Sequence, residues 1–245
     1  TLEESEATMT EQADDVVRAE QLTKVYRAGE VEVLAVTSLD LTISRGEFMA
    51  IAGPSGSGKT TLLNLISGLD KPTSGRAYLA GVPIEDMNGR QLADFRRDHV
   101  GFIFQSYNLI PVLTVSENVE YVMILQRVPA PERRRRVAEI LSDVGLAGME
   151  GRRPPQLSGG QQQRVAVARA MVAEPDIVLA DEPTANLDST TGAELIDMMR
   201  DLNRTRGMTF IFSTHDEMIM TRAERLVLLK DGRLDKDIRR DSGDV

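Results

Sequence analysis

The chain of 245 residues has no cysteine, no tryptophan and only two histidines. Without cysteine, neither a disulfide bond nor a thiolate zinc site can form. The two histidines, His99 and His215, are too few to surround a metal ion as a cluster. The sequence therefore excludes a disulfide framework and any metal site built from cysteines or from a histidine cluster.

Long apolar runs and positive charge are also scarce. No apolar run approaches the ~20 residues that a membrane-spanning helix requires, and no basic segment followed by an apolar one marks a signal peptide at the N-terminus. The formal net charge is −9, whereas non-specific nucleic-acid binding requires a basic surface. We therefore expect a cytoplasmic protein that binds no nucleic acid and reaches a membrane only through a partner.

Apolar residues make up 41% of the chain, enough for a hydrophobic core, and predicted strands alternate with predicted helices. Such alternation is typical of an α/β domain with a mostly parallel sheet. Apolar residues among charges predict an edge strand at 16–26, and the alternation at 31–43 predicts paired antiparallel strands. Between about 106 and 172 the pattern is helical and indicates an inserted helical subdomain, with one helix at 115–125 opened by Thr114 or Ser116.

These patterns predict one domain over residues 16–238. Residues 1–15 are acidic and polar with few apolar positions, which predicts a disordered tail. Residues 239–245 predict a second, polar tail.

The most informative segment is Gly53-Pro54-Ser55-Gly56-Ser57-Gly58-Lys59-Thr60. It fits the phosphate-binding loop pattern, which is glycine, four residues, Gly-Lys, and serine or threonine. A predicted buried strand precedes it and a predicted helix follows it, which is the context that the motif requires. The backbone N–H groups of the loop and the positive end of the helix favour an anion. Lys59 is predicted to reach the β- and γ-phosphates of a nucleotide, and the Thr60 hydroxyl to bind Mg²⁺.

Four polar residues at the ends of predicted strands have the chemistry that phosphoryl transfer to water requires. Asp181 ends an apolar strand, where it can hold Mg²⁺ through water, and Glu182 follows, where it can polarise the attacking water. Gln105 follows another strand, where it could contact metal and water, and His215 follows a third, where it could read the γ-phosphate. On spacing alone, a single glutamine or histidine is more often structural.

A second motif brings a family resemblance. Leu157-Ser158-Gly159-Gly160-Gln161, followed by Gln162-Gln163-Arg164, resembles the signature of the ATP-binding cassette (ABC) ATPases. The resemblance covers about residues 16–235, nearly the whole chain. It implies a P-loop NTPase core with a mostly parallel sheet, an antiparallel β-subdomain and an inserted α-helical subdomain.

The resemblance also implies roles for single residues, with ATP and Mg²⁺ as the cofactors. Tyr26 matches the family's aromatic residue that stacks on adenine. The positions implied to bind ATP are Tyr26, Gly53 to Thr60, and Thr61. The positions implied to be catalytic are Lys59, Gln105, Glu182 and His215. The positions implied to hold Mg²⁺ are Thr60, Gln105 and Asp181. Because Glu182 matches the catalytic glutamate, the chain is expected to hydrolyse ATP.

In this family two nucleotide-binding domains pair head to tail, and the signature of one faces the ATP of the other. The signature begins the predicted helix 161–172, whose N-terminus favours an anion. Leu157, Ser158, Gly159, Gly160 and Gln161 are therefore implied to contact the partner's ATP in a homodimer that hydrolysis loosens.

The loop that links the two active sites of such a dimer departs from the family pattern. The usual Ser-Ala-Leu-Asp is Ala185-Asn186-Leu187-Asp188 in this chain. The resemblance implies that Asn186, Leu187 and Asp188 communicate across the dimer, and we expect the departure to be tolerated.

Segments 62–70, 108–111 and 156–164 resemble the branch that contains the lipoprotein-release and macrolide-export ATPases and the cell-division ATPase. Members of that branch serve permeases with few membrane helices and large extracytoplasmic domains, commonly by transmitting mechanical work. The resemblance implies an integral membrane permease as partner, admits a periplasmic or extracytoplasmic adaptor, and places the chain at the inner face of the cell membrane.

The family docks a permease helix in a groove between the core and the helical subdomain. The positions implied to line it are Tyr107, Leu109, Ile110, Pro111 and Leu113. Apolar residues exposed beside a nucleotide sensor suit a partner site. Alternatively, any single one of them caps the core of the helical subdomain.

Other functions stay open or are excluded by architecture. A regulatory ATPase like the cell-division ATPase, without transport, is one alternative, and the ATPase of a polar amino-acid importer is another. DNA-repair relatives insert a long coiled coil before the signature, but only 97 positions separate Thr60 from Leu157. Translation-type relatives carry two cassettes, and this chain carries one.

Overall fold

The computed structural model describes residues 15–29 and 31–240. The strands in these residues are β1 (Asp15–Ala28), β2 (Val31–Ser44), β3 (Phe48–Ala52), β4 (Ser74–Leu79), β5 (Val82–Pro83), β6 (Val100–Ile103), β7 (Ile177–Asp181), β8 (Thr209–Thr214), β9 (Arg225–Lys230) and β10 (Arg233–Arg239). The α-helices are α1 (Lys59–Ile66), α2 (Gly89–His99), α3 (Val115–Leu125), α4 (Ala130–Asp143), α5 (Gly159–Met171), α6 (Ser189–Arg206) and α7 (Glu217–Arg222).

The strands form two sheets. The larger sheet has the order β10-β9-β3-β8-β7-β6, and only its β10–β9 pair is antiparallel. The smaller sheet has the order β2-β1-β4-β5 and is antiparallel throughout. The predicted α/β fold, with a mostly parallel sheet and a separate antiparallel one, is confirmed.

The prediction of an edge strand at 16–26 is wrong. β1 pairs with β2 on one side and with β4 on the other. Charged residues alternate along β1 because one face of the antiparallel sheet is partly open to solvent, and an inner strand of such a sheet has the same pattern as an edge strand. The expected pair of strands at 31–43 is one continuous strand, β2.

β3 is buried on both faces. Phe48 and Ala50 pack into the core on one side of the larger sheet, and Met49 and Ile51 into the core on the other side. A strand covered on both faces needs an unbroken apolar run, which 48–52 provides. β3 leads directly into the phosphate-binding loop.

Helix α1 connects the two sheets. It packs against β1, β2 and β4 of the antiparallel sheet and against β8 of the parallel sheet, with Leu62 and Leu65 fully buried. The loop at the N-terminus of α1 therefore lies where the two sheets meet.

The segment from α3 to α5 is helical, and two of its α-helices begin at capping boxes. Thr114 opens α3 with a capping box that includes Glu117, which settles the alternative between Thr114 and Ser116. Ser158 opens α5 in the same way with Gln161. Helix α5 also packs on β6 of the core sheet. The boundaries 106–172 of a separate helical subdomain stay a prediction.

The predicted tails lie almost entirely outside the described residues. Asp15 is the first residue of β1 and Arg239 the last of β10. In the part of the chain that the structure covers, none of the helices combines the length and apolarity that crossing a bilayer requires.

Candidate active site

An open cleft of about 760 Å³ lies at the carboxyl ends of the parallel strands. This volume is within the range of roughly 300–1,000 Å³ that small-molecule sites occupy. The cleft is lined by residues of the phosphate-binding loop and α1, by strand-end residues and by part of the antiparallel sheet: Gly53 to Ser55, Gly56, Gly58 to Thr61, Gln105, Asp181, Glu182, Ser213, His215, Tyr26 and Val33 to Ala35.

The phosphate-binding loop is tightly packed where it approaches the antiparallel sheet. Gly58 has φ 101°, and a Cβ there would overlap the carbonyl oxygen of Ala35 in β2. Gly232 connects the loop to β2 at the same place. Its N–H donates to the Ser57 carbonyl (3.1 Å), and its carbonyl accepts from the Thr37 N–H (2.8 Å). Glycine is therefore required by both conformation and space at position 58.

Lys59 lies against its own loop. Its Nζ donates to the carbonyl oxygens of Gly53 (2.7 Å) and Pro54 (3.0 Å). The ammonium group is thus held at the mouth of the loop, at the N-terminus of α1, where an anion is favoured by the helix dipole. A phosphate that enters the loop meets this charge directly.

Thr60, Gln105 and Asp181 all line the cleft, as expected for metal ligands. Their side chains offer a hydroxyl, an amide carbonyl and a carboxylate, an all-oxygen donor set that fits Mg²⁺. With only one carboxylate in the set, most of the remaining ligands must be phosphate oxygens and water, which is how Mg²⁺ is usually held at nucleotide sites. The described residues contain no cluster of three or more His, Cys, Asp or Glu side chains that could hold a metal ion on its own.

Glu182 and His215 come together at the edge of the cleft. His215 Nδ1 lies 2.6 Å from Glu182 Oε1, and Thr214 Oγ1 donates to Glu182 Oε2 at 3.1 Å. Glu182 also has φ 47°, and its N–H donates to the Ser213 carbonyl. Strained backbone of this kind is concentrated at functional sites. The carboxylate is thus oriented by groups from the end of β8, the strand next to its own.

Tyr26 reaches the cleft from β1. Its ring is 39% exposed, and its hydroxyl donates to Asp70 Oδ2 at 2.8 Å. Burial and the Asp70 hydrogen bond raise the pKa of Tyr26 above its ordinary 10.0. The aromatic face that the resemblance implies for adenine is therefore present at the cleft wall.

The signature residues do not line the cleft of their own chain. Leu157 is buried under the start of α5, while Ser158 is exposed and Gly159 partly so. Ser158 Oγ accepts from Gln161 N–H, and Gln161 Oε1 accepts from Ser158 N–H. This helix N-terminus is thus at least partly exposed and lies outside the site built by the same chain's loop.

The loop from 185 to 188 has contacts within the chain. Asn186 Nδ2 donates to the Gln105 carbonyl at 2.8 Å. Asp188 caps α6 by accepting from the N–H groups of Thr190 and Thr191 and from the Thr191 hydroxyl. These bonds lower the pKa of Asp188, the Thr191 hydroxyl first. Asn186 therefore links this loop to the segment that follows β6.

The expected permease-contacting residues differ in exposure. Ile110 and Pro111 are exposed, Tyr107 and Leu113 are partly buried, and Leu109 packs against the core. Leu109 therefore fits the core-capping interpretation, and the partner-site interpretation of the other residues stays a prediction. The buried Asn118 amide fixes the segment by hydrogen bonds to residues 110, 113 and 114.

Sequence reasoning missed several residues around these two surfaces. Val112, which belongs to the predicted apolar segment, is 71% exposed. The residues missed are three exposed apolar residues of α3: Tyr121, Ile124 and Leu125. In the sequence they resemble core positions of an amphipathic helix. At the cleft, Val33 and Leu34 were also missed, as was Thr214, which does not line the cleft but bonds to Glu182. Nothing in the sequence distinguishes them from ordinary strand residues.

Comparison with known proteins assigns the chain to a family. The ABC transporter family model matches residues 36–185. The ABC transporter ATP-binding protein MJ0796 of Methanocaldococcus jannaschii is 44% identical over 229 residues, which cover 91% of this chain and 96% of that protein. The macrolide export ATP-binding/permease protein MacB of Rhodopseudomonas palustris is 46% identical over 220 residues, which cover 90% of this chain and 34% of that protein. This chain thus spans about a third of the MacB relative.

Solved structures match the fold over nearly the whole chain. The dimeric structure of a post-hydrolysis state of the ATP-binding cassette MJ0796 bound to ADP and Pi has 43% sequence identity and a TM-score of 0.82, and the match covers 92% of this chain and 99% of that chain. A second dimeric structure of MJ0796, described as a bacterial ABC transporter cassette, gives a TM-score of 0.83 at the same identity and coverage.

Proposed function

The chain belongs to the ABC transporter family of ATP-binding proteins and is an ATPase, and on this premise we propose how its residues bind and hydrolyse ATP and what the hydrolysis drives. The observation that carries the proposal is the convergence of Lys59, Thr60, Gln105, Asp181 and Glu182 on one cleft. Lys59 and the loop bind the phosphates. Thr60, Gln105 and Asp181 hold Mg²⁺, which neutralises phosphate charge when bound.

Hydrolysis is assigned to Glu182. Its carboxylate polarises the attacking water, and His215 orients that carboxylate and senses the γ-phosphate. The 2.6 Å contact between the two side chains supports this division of roles. Tyr26 stacks on the adenine ring.

The chain works as a head-to-tail homodimer. The exposed N-terminus of α5, with Ser158 and Gly159, supports this arrangement because its first turn carries no acidic residue and lies outside the cleft, and a helix N-terminus suits the γ-phosphate of a partner. Asn186, Leu187 and Asp188 then link the two sites. Asn186 already contacts the Gln105 backbone, so a change at one site reaches the metal-binding segment.

The partner that receives the work is an integral membrane permease of the export or mechanotransmission type. The similarity to MacB, an ATP-binding/permease protein, and the exposed apolar patch of Ile110, Val112, Tyr121, Ile124 and Leu125 support this proposal. The permease holds the chain at the cytoplasmic face of the membrane, either as a separate subunit or within the same polypeptide. An extracytoplasmic adaptor would bind to the permease and not to this chain.

Co-purification tests the function and the partner together. The Glu182→Gln protein is expressed in cells, extracted from membranes with Mg²⁺ and ATP, and compared with Glu217→Gln, a matched change of an exposed glutamate outside the cleft. We expect Glu182→Gln to bind ATP, lose turnover by ~10²-fold or more, and retain a permease with few spans and a large extracytoplasmic domain.

Other outcomes correct specific parts of the proposal. Normal hydrolysis by Glu182→Gln would remove that residue from its role. Recovery of an importer-type permease with a binding protein would replace the export assignment, and recovery of no membrane protein would favour a regulatory ATPase. Loss of nucleotide binding in Lys59→Ala is the control that the cleft holds the ATP.

A further inference from the structure

Tyr26 belongs to a cluster of three side chains that joins β1 to the end of α1. Its hydroxyl donates to Asp70 Oδ2 (2.8 Å), and Lys24 Nζ donates to Asp70 Oδ1 (2.7 Å). Lys24 Nζ also donates to the Lys71 carbonyl (2.7 Å) and lies 5.0 Å from the centroid of the Tyr26 ring. The lysine is thus bound to the carboxylate and to the ring at the same time.

The cluster fixes a ring that would otherwise rotate. Tyr26 is 39% exposed and lines the cleft, so packing alone leaves it loosely held. Its hydroxyl is held by Asp70, whose backbone N–H donates in turn to the Asn64 carbonyl (3.0 Å). The ammonium of Lys24 lies within the ~6 Å over which a cation attracts an aromatic ring.

The protonation states of Asp70 and Tyr26 fix which group donates the hydrogen bond between them. Burial works to raise the pKa of Asp70, but hydrogen bonds from Lys24 and Tyr26 outweigh it, so its pKa lies below the ordinary 3.8. Burial and the hydrogen bond to Asp70 raise the pKa of Tyr26. At neutral pH, Asp70 therefore accepts, while Lys24 and Tyr26 donate.

We propose that Asp70 and Lys24 are positioning residues that hold the Tyr26 ring ready to stack on the base of ATP. This inference rests on the proposed function, in which Tyr26 contacts adenine. Binding a ligand costs free energy for each side chain that must be ordered, and a ring that is already fixed avoids that cost. Neither Asp70 nor Lys24 lines the cleft, so both act through Tyr26.

The cluster has a simpler interpretation, which is that it only ties β1 to α1. The two interpretations predict different effects of the substitutions on phosphate binding, because α1 begins at Lys59 of the phosphate-binding loop. Loss of a structural tie would disturb the loop and weaken every ligand that carries a triphosphate. Loss of ring positioning would weaken only ligands that carry a base.

The experiment measures kcat and KM for ATP, and the inhibition constant of inorganic tripolyphosphate, which lacks a base. The variants of the full chain are Tyr26→Phe, Tyr26→Ala, Asp70→Ala, Asp70→Asn, Lys24→Met and the double variant Tyr26→Phe/Asp70→Ala, with exposed Asp235→Ala as the control. We expect Tyr26→Phe and Asp70→Ala each to raise KM about 3–10-fold, the effect of losing one hydrogen bond of ordinary strength. The value of kcat and the inhibition constant of tripolyphosphate stay unchanged, because the ring contacts only the base.

Two further results are expected. The double variant has the same KM as the stronger single variant, because both changes remove one shared interaction. Asp70→Asn, which keeps an acceptor oxygen, and Lys24→Met, which keeps the hydrogen bond from the Tyr26 hydroxyl to Asp70, give KM values between those of the wild type and Asp70→Ala.

Three results would overturn the inference. Equal increases in KM for ATP and in the inhibition constant of tripolyphosphate would make the cluster a structural tie. Additive effects in the double variant would show that Tyr26 and Asp70 act independently. If Asp70→Ala leaves KM for ATP unchanged while Tyr26→Ala raises it strongly, only the positioning role is wrong. If Tyr26→Ala itself leaves KM unchanged, the base contact of the proposed function is wrong. Tyr26→Phe keeps the test valid should Asp70→Ala fail to fold.

Discussion

Glu182 and His215 hold one another at 2.6 Å, Oε1 to Nδ1, although they differ widely in exposure. The side chain of Glu182 is 18% exposed and that of His215 is 78% exposed. Because a carboxylate can only accept, Nδ1 of His215 is the donor. The second oxygen of Glu182 accepts from Thr214. The exposed His215 side chain is thus bonded to the more shielded carboxylate of Glu182, the group that we propose polarises the attacking water.

His215→Ala should separate orientation of Glu182 from ATP binding. Removal of the imidazole leaves Oε1 without its partner, so we expect kcat to fall by roughly 10²-fold, the low end for a lost acid–base group, with little change in KM. Steady-state ATPase assays measure both. His99→Ala is the matched control, because His99 bonds to Asp176 and does not line the cleft. Equal activity of the two variants would contradict the role of His215.

Ser158→Arg tests the signature surface. The arginine places a long cation at the N-terminus of α5, where Ser158 Oγ now accepts from Gln161 N–H, and it would collide with a partner's nucleotide. We expect monomer binding of ATP to stay near normal while ATP-dependent dimerisation in the Glu182→Gln background is lost. Fluorescent-nucleotide titration and light scattering measure the two quantities. Ser142→Arg, at an exposed site on α4, is the control, and dimerisation by Ser158→Arg would contradict the head-to-tail model.

Gly101→Ala tests the packing of α5 on the core sheet. A Cβ at Gly101 in β6 would overlap the Ala170 carbonyl, which belongs to α5. The backbone of one of the two elements must move, and such overpacking costs about 1–3 kcal/mol in the free energy of unfolding. Denaturant unfolding measures it. Gly151→Ala has open space around the added methyl group, so we expect no comparable loss, and equal stability of both variants would contradict the close contact.

Asp176 predicts a pH dependence of stability. Burial works to raise its pKa, but hydrogen bonds from His99 and Arg45 outweigh it and lower the pKa below the ordinary 3.8. A carboxyl group with a lowered folded pKa stabilises the fold above its unfolded pKa, and this contribution is lost as pH falls through the folded pKa. We expect Asp176→Asn to lower the free energy of unfolding by about 1 kcal/mol at pH 7 and by clearly less at pH 3.

Urea unfolding at the two pH values measures this difference. Asp201→Asn, at an exposed position on α6, should show no such pH dependence. A deficit of Asp176→Asn that is the same at pH 7 and pH 3 would contradict the assignment to the hydrogen bonds that the Asp176 carboxylate accepts from His99 and Arg45.

Local signals predicted the binding elements well. Thr114 and Ser158 open helices because their side chains cap the first turn, and this depends only on residues three positions away. The phosphate-binding loop was predictable for the same reason, since it is one contiguous segment between a buried strand and a helix. For such motifs, the residues that determine the local structure all lie within about ten positions of one another.

Strand neighbours were less predictable. β1 was expected at an edge, yet it lies between β2 and β4. Val17 of β1 pairs with Ile43, which is 26 positions further along the chain, and with Leu79, which is 62 positions further along. An alternating strand shows which face is buried but not which strands lie beside it. The exposed face of α3, with Tyr121 and Leu125, was missed because its apolar residues resemble core positions.

By itself, the sequence determined the family, the phosphate-binding loop, the signature and the strand-end acids, because each is a contiguous segment whose chemistry depends on its own residues. Only the tertiary structure decided which side chains meet. His215 bonds to Glu182 because β7 and β8 are neighbours, and Asp70 bonds to Tyr26 because α1 packs against β1. Such pairs depend on strand order and helix packing, which follow from burial across the whole domain.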